Sequence, residues 1–91
     1  MSYRINFYET ADEDLVKWKK SGQKIIMDKI TKLLKDIAEH PYNGLGKPEA
    51  LRYELTGKWS RRINDEHRLV YSVSDGRIYV YVFSLRYHYS K

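Results

Sequence analysis

The stretch KWSRRINDEHRLVYSVSDGRIYVYVFSL, residues 58–85, decides the fold. It holds three strand-like runs, Lys58 to Ile63, His67 to Val73 and Arg77 to Leu85, parted by Asn64-Asp65-Glu66 and Ser74-Asp75-Gly76. Connections that short imply antiparallel hairpins. Alternation then assigns faces. If Leu69, Tyr71 and Val73 point to a core, Arg68, Val70 and Ser72 point away; if Phe83 and Leu85 point inward, Ser84, Arg86 and His88 point out. In the first run Trp59, Arg61 and Ile63 share a face, so turning the apolar pair inward also turns Arg61 inward, leaving Ser60 and Arg62 outside. That is an uncomfortable place for an arginine, and both Arg61 and Arg62 stay candidates for the outer face.

Upstream, Gly44, Gly46 and Pro48 punctuate a loop, and His40-Pro41 ends whatever precedes it, because the residue before proline avoids the helical region. From Gln23 to Glu39 the apolar positions Ile26, Ile30, Leu33, Leu34 and Ile37 recur at helical spacing among charged residues. A shorter helix with Leu15 and Trp18 as its apolar stripe precedes it and stops at Ser21-Gly22. Thr10-Ala11-Asp12-Glu13 reads as its capping box. The opening alternates Tyr3, Ile5 and Phe7 with Arg4, Asn6 and Tyr8, which predicts a strand over Ser2 to Tyr8. The order is β-α-α-β-β-β. It predicts an α+β domain spanning residues 1–91, an antiparallel four-stranded sheet with the helical hairpin on one face and the other face open.

Ninety-one residues suffice for one small core. The absence of cysteine excludes disulfides and thiolate zinc sites, and no apolar run approaches the roughly 20 residues that span a bilayer. No signal-peptide pattern opens the chain, so a cytoplasmic location is expected. With 17 basic and 12 acidic residues the net charge is +5, and nine of the basic but only five of the acidic residues follow Asn43. An anionic partner is expected to meet the second half.

That half carries Lys47, Glu49, Arg52, Arg61, Arg62, His67, Arg68, Arg86, Tyr87, His88 and Tyr89. Cations, carboxylate, imidazole and phenol without a thiol or a metal cluster suit metal-free cleavage of RNA. There the 2′-hydroxyl is an internal nucleophile that needs a base, an acid for the leaving 5′-oxygen, and cations around the phosphorane. Each residue alone has a plainer reading. Glu49 fits a solvated loop, Arg61-Arg62 a general phosphate contact, His40 a helix C-terminus, His67 the start of a strand, and the tyrosines ordinary strand packing.

Taken together, Gly46-Lys47-Pro48-Glu49-Ala50-Leu51, Leu55-Thr56-Gly57-Lys58-Trp59-Ser60-Arg61-Arg62-Ile63, Glu66-His67-Arg68-Leu69-Val70-Tyr71 and Arg86-Tyr87-His88-Tyr89 resemble the YoeB/Txe toxins of the RelE/ParE superfamily. The resemblance covers the whole chain. It implies a toxin of a type II toxin-antitoxin module, an endoribonuclease that cuts mRNA in the ribosomal A site and stops translation. By matching motif, it implies Glu49 as general base, Arg68 as phosphorane stabiliser, His88 as general acid and Tyr89 as support for the reacting nucleotide. Lys47, Arg52 and Arg62 would hold phosphates, and Arg61 and Arg86 are further phosphate-binding candidates from the basic outer face. Position 52 is often lysine in that family, and Ser90 and Lys91 extend past the tyrosine at which many members end. The resemblance also implies a homodimer, a cognate acidic antitoxin of the YefM/Axe kind, no cofactor and no membrane. Because relatives on this fold poison other targets, a non-catalytic toxin gripping the ribosome or a partner is the alternative.

Overall fold

The computed structural model describes residues 2–86. Strand β1 (Arg4–Phe7) leads into helices α1 (Glu9–Ser21) and α2 (Lys24–Glu39). After a loop come a two-residue strand β2 (Glu49–Ala50), a single 3-10 turn (Tyr53–Leu55) and the meander β3 (Trp59–Arg62), β4 (Arg68–Ser74) and β5 (Tyr79–Ser84).

The helical hairpin forms where expected, with Gly22 taking the left-handed conformation (φ 71°) that ends α1. The capping box does not form. The helix begins at Glu9, one residue before Thr10, and its N-terminus has no side-chain cap; Glu9 and Asp12 instead place negative charge in the first turn. Helix α2 buries Ile30, Leu33 and Ile37 against the sheet. Each side chain so buried contributes about 1.5–3 kcal/mol.

Among the described residues the sheet has five strands, in the order β1-β5-β4-β3-β2, not four. The additional strand is β2, whose two residues are too few to show alternation; it pairs antiparallel to β3 with Glu49 opposite Ser60. The sheet is also mixed. Strand β1 runs parallel to β5, with Arg4 opposite Tyr79 and Phe7 opposite Val82, because the helical hairpin carries the chain away from the edge that β5 later joins. On the helix side Ile5, Phe7, Leu69, Tyr71, Val80, Val82 and Leu85 form the core wall with Trp18, Leu33 and Ile37.

One irregularity sets the facing of β5. Val70 lies opposite Ser84 while Tyr71 lies opposite Val82, so Phe83 is an extra residue in that strand. Phe83 therefore does not point inward as simple alternation expects. It joins Tyr8 (ring centroids 4.6 Å apart) on the outer side, under the ammonium of Lys58, 4.7 Å from the ring centre. Leu85 is fully buried.

Candidate functional site

Residues 40–48 form the loop that carries Lys47 and delivers Glu49 to the sheet, and Arg61 shapes it from beneath. The Arg61 side chain has no exposed surface. Its Nε–H donates to the Tyr71 hydroxyl at 3.2 Å; one terminal nitrogen donates to Asp36 Oδ2 and to the Leu45 carbonyl (3.1 Å), the other to the carbonyls of His40 and Asn43 (2.9 Å). The Tyr71 hydroxyl in turn donates to the Pro41 carbonyl at 2.7 Å. Arg61 is thus a buried brace, and its expected place among the phosphate contacts is corrected: every donor is already used, on the side away from the open face.

Burial alone would raise the Asp36 carboxyl, but hydrogen bonds from Arg61 and the Leu45 amide outweigh it and hold it below the usual carboxylate range. The loop also passes close to its neighbours. At Gly46 (φ +78°) a Cβ would lie 2.9 Å from Leu33 Cδ2 and 3.0 Å from the Arg62 carbonyl. The Gly46 carbonyl accepts from the Arg62 amide at 2.7 Å, which ties the loop to β3. Lys47 itself has φ 52°, a strained value for a residue with a side chain.

On the face away from the helices, Glu49, Ser60, Val70 and Ser84 make one row across β2, β3, β4 and β5. Arg62 and Arg68 face each other in the next same-face row. With strands about 4.8 Å apart and same-face residues about 6.8 Å apart, the backbones of Glu49 and Arg68 are about 12 Å apart, which their long side chains can narrow to a substrate's width. Arg68 is half-buried and already oriented, one terminal nitrogen donating to the carbonyls of Asn64 (2.9 Å) and His67 (3.2 Å). Among the described residues, Arg62 makes a loose exposed pair with Asp65 at 3.9 Å. Lys47, Glu49 and Arg52 are exposed. Beside this group runs an aromatic strip of Tyr8, Tyr81 and Phe83, with Tyr8 and Tyr81 stacked at 6.0 Å.

The end of β5 is held from the opposite side by α1. The buried Asp14 carboxylate accepts from the Leu85 amide at 2.9 Å, and the Trp18 indole N–H donates to the Leu85 carbonyl at 2.9 Å. Arg86 lies with its guanidinium 5.8 Å over the Trp18 ring, and His67 packs edge-on to the same indole at 4.8 Å. Sequence reading missed Asp14. Its only signal is an acid at helical spacing within the apolar stripe, four residues before Trp18 and three after Ala11. His88 and Tyr89 lie outside the described residues.

Among the described residues no group of three or more His, Asp or Glu side chains is arranged to hold a metal ion, and no helix is long and apolar enough to cross a membrane. What the open face assembles is an exposed carboxylate, two facing arginines and flanking cations, a set able to accept a proton and to hold a phosphate.

Residues 7–89 match the sequence profile of a family described as the YoeB-like toxin of bacterial type II toxin-antitoxin systems. Toxin YoeB of Streptomyces coelicolor is 45% identical over 86 residues, covering 94% of this chain and 99% of that protein. A YoeB/ParE toxin from Agrobacterium tumefaciens superposes with a TM-score of 0.87 at 36% identity, covering 94% of this chain and 99% of the other. YoeB from Staphylococcus aureus, solved as a dimer and in complex with YefM, gives TM-scores of 0.82 and 0.80 at 43% identity, covering 98% of this chain and 100% of the other.

Proposed function

Since the chain belongs to the YoeB-like toxin family of bacterial type II toxin-antitoxin systems, we propose that it acts in the cytoplasm as an endoribonuclease that cuts mRNA in the ribosomal A site. Glu49 takes the proton of the 2′-hydroxyl, whose oxygen attacks phosphorus. Arg68 stabilises the charge on the phosphorane, and His88 gives a proton to the 5′-oxygen as its bond to phosphorus breaks, leaving a 2′,3′-cyclic phosphate. Tyr89 supports the reacting nucleotide; Lys47, Arg52, Arg62 and Arg86 hold neighbouring phosphates. The observation that carries the reading is the placement of Glu49 within side-chain reach of the facing pair Arg62 and Arg68, on the sheet face that the helices leave uncovered. The reaction has an internal nucleophile, so no cofactor is invoked, and DNA, without that hydroxyl, is not a substrate.

Glu49→Ala and His88→Ala are each expected to lower ribosome-dependent cleavage about 100- to 10,000-fold with folding intact. Primer extension on mRNA from a purified translation reaction measures this. Full cleavage by either variant removes that residue from the mechanism. Loss of cleavage with retained inhibition of translation by both would favour a toxin that only grips the ribosome.

The S. aureus complex with YefM supports a YefM-like antitoxin as partner, and the S. aureus dimer supports a homodimer. An acidic antitoxin segment would be steered to the basic second half of the chain and cover Glu49, Arg62 and Arg68 from the solvent side.

A further inference from the structure

We infer that Asp14 and Trp18 of α1 are positioning residues for the general acid, an inference that rests on the role given to His88 above. Leu85 is the last core residue before the Arg86-Tyr87-His88-Tyr89 motif, and both of its backbone polar groups are taken by side chains from one helix. Asp14 accepts from its amide and Trp18 donates to its carbonyl, each at 2.9 Å and each from residues about 70 positions earlier. Its own side chain is fully buried.

A strand end ordinarily finds such partners on the neighbouring strand or in water. Here the Phe83 bulge has just interrupted the ladder, and α1 supplies the bonds in its place. Asp14 is a buried carboxylate, 7% exposed, and its Oδ2 accepts from this amide. The indole that makes the second bond also lies under the Arg86 guanidinium and against His67, so the first residue of the motif and the last core residue share one support. His88 follows Leu85 by three residues, a reach of about 10 Å at most. Holding Leu85 by both backbone groups and its side chain therefore anchors the point from which the motif departs, and helix α1 becomes part of that anchor.

The test uses the full-length toxin with ribosomes and mRNA, each variant assayed well below its own unfolding midpoint. Asp14→Ala is expected to lower the single-turnover cleavage rate about 10- to 100-fold with half-saturation unchanged, the penalty of a misplaced reacting group. Asp14→Asn, whose amide oxygen still accepts from Leu85, is expected to restore most of the rate. In a His88→Ala background, Asp14→Ala should cost nothing further, because the group it positions is gone. Wild-type cleavage by Asp14→Ala, or losses that multiply in the double variant, would overturn the inference while leaving His88 in place. Full cleavage by His88→Ala alone would instead overturn the role of His88, and this inference with it.

Discussion

A guanidinium has five N–H donors and no acceptor, so it is buried without large cost only where five oxygens wait for it. Arg61 meets that condition, and four of the five oxygens come from residues 36–45, the end of α2 and the loop that follows. Lysine has three donors and no fork, so Arg61→Lys leaves carbonyls unpaired, and Arg61→Met leaves all of them unpaired. We expect Arg61→Met to lose about 3–5 kcal/mol in urea unfolding, whereas Arg62→Met, on the solvent side, changes stability by no more than about 0.5 kcal/mol. Equal losses would contradict the brace. The alternation of Trp59, Arg61 and Ile63 already turns Arg61 inward in the sequence. What a sequence lacks is the ring of carbonyls that makes this tolerable, since they belong to a loop whose shape exists only once Arg61 occupies it. Arg62 and Arg68 were legible for the converse reason, since alternation alone puts them on the outer side of their strands, whereas Glu49 was read in a loop and its place on β2 was not legible.

At the scale of elements, the helices and the meander follow from periodicity, while β2 and the bulge do not, because two residues or one extra residue carry no period. The turn between β4 and β5 illustrates how elements are then joined. Asp75 accepts hydrogen bonds from Tyr3 ahead of β1 and from Tyr42 in the loop after α2, both at 2.6 Å. These bonds hold Asp75 below the usual carboxylate range. Partial burial and the Asp75 carboxylate together push the Tyr42 phenol up to about 12. A folded-state value above the unfolded value of 10.0 means that the protonated phenol stabilises the fold fully below pH 10 and that this contribution is lost as pH rises toward about 12. The unfolding temperature is expected to fall between pH 9.5 and about 11.5 more steeply in the wild type than in Tyr42→Phe. Parallel curves would show that the latch contributes nothing.

For the whole molecule, the parallel pairing of β1 with β5 fixes an order of events. Synthesis delivers β1 first and β5 last among the strands, and β1 has no partner until residues 79–84 arrive. The core wall of Val80, Val82 and Leu85 arrives with them, as does the strand that pairs with β4. Contacts so distant along the chain form late. A chain stopped after Ile78 is therefore expected to lack a cooperative unfolding transition and to be cut at once by protease, and one stopped after Arg86 to fold without cleaving mRNA; a folded 1–78 fragment would refute this. The consequence reaches the act of translation. A growing chain is attached to the machine that its finished form is proposed to disable, and it lacks this wall of its core until residues 79–85 have been added. Under the proposed function, the order of the strands would hold activity back during synthesis, before an antitoxin acts.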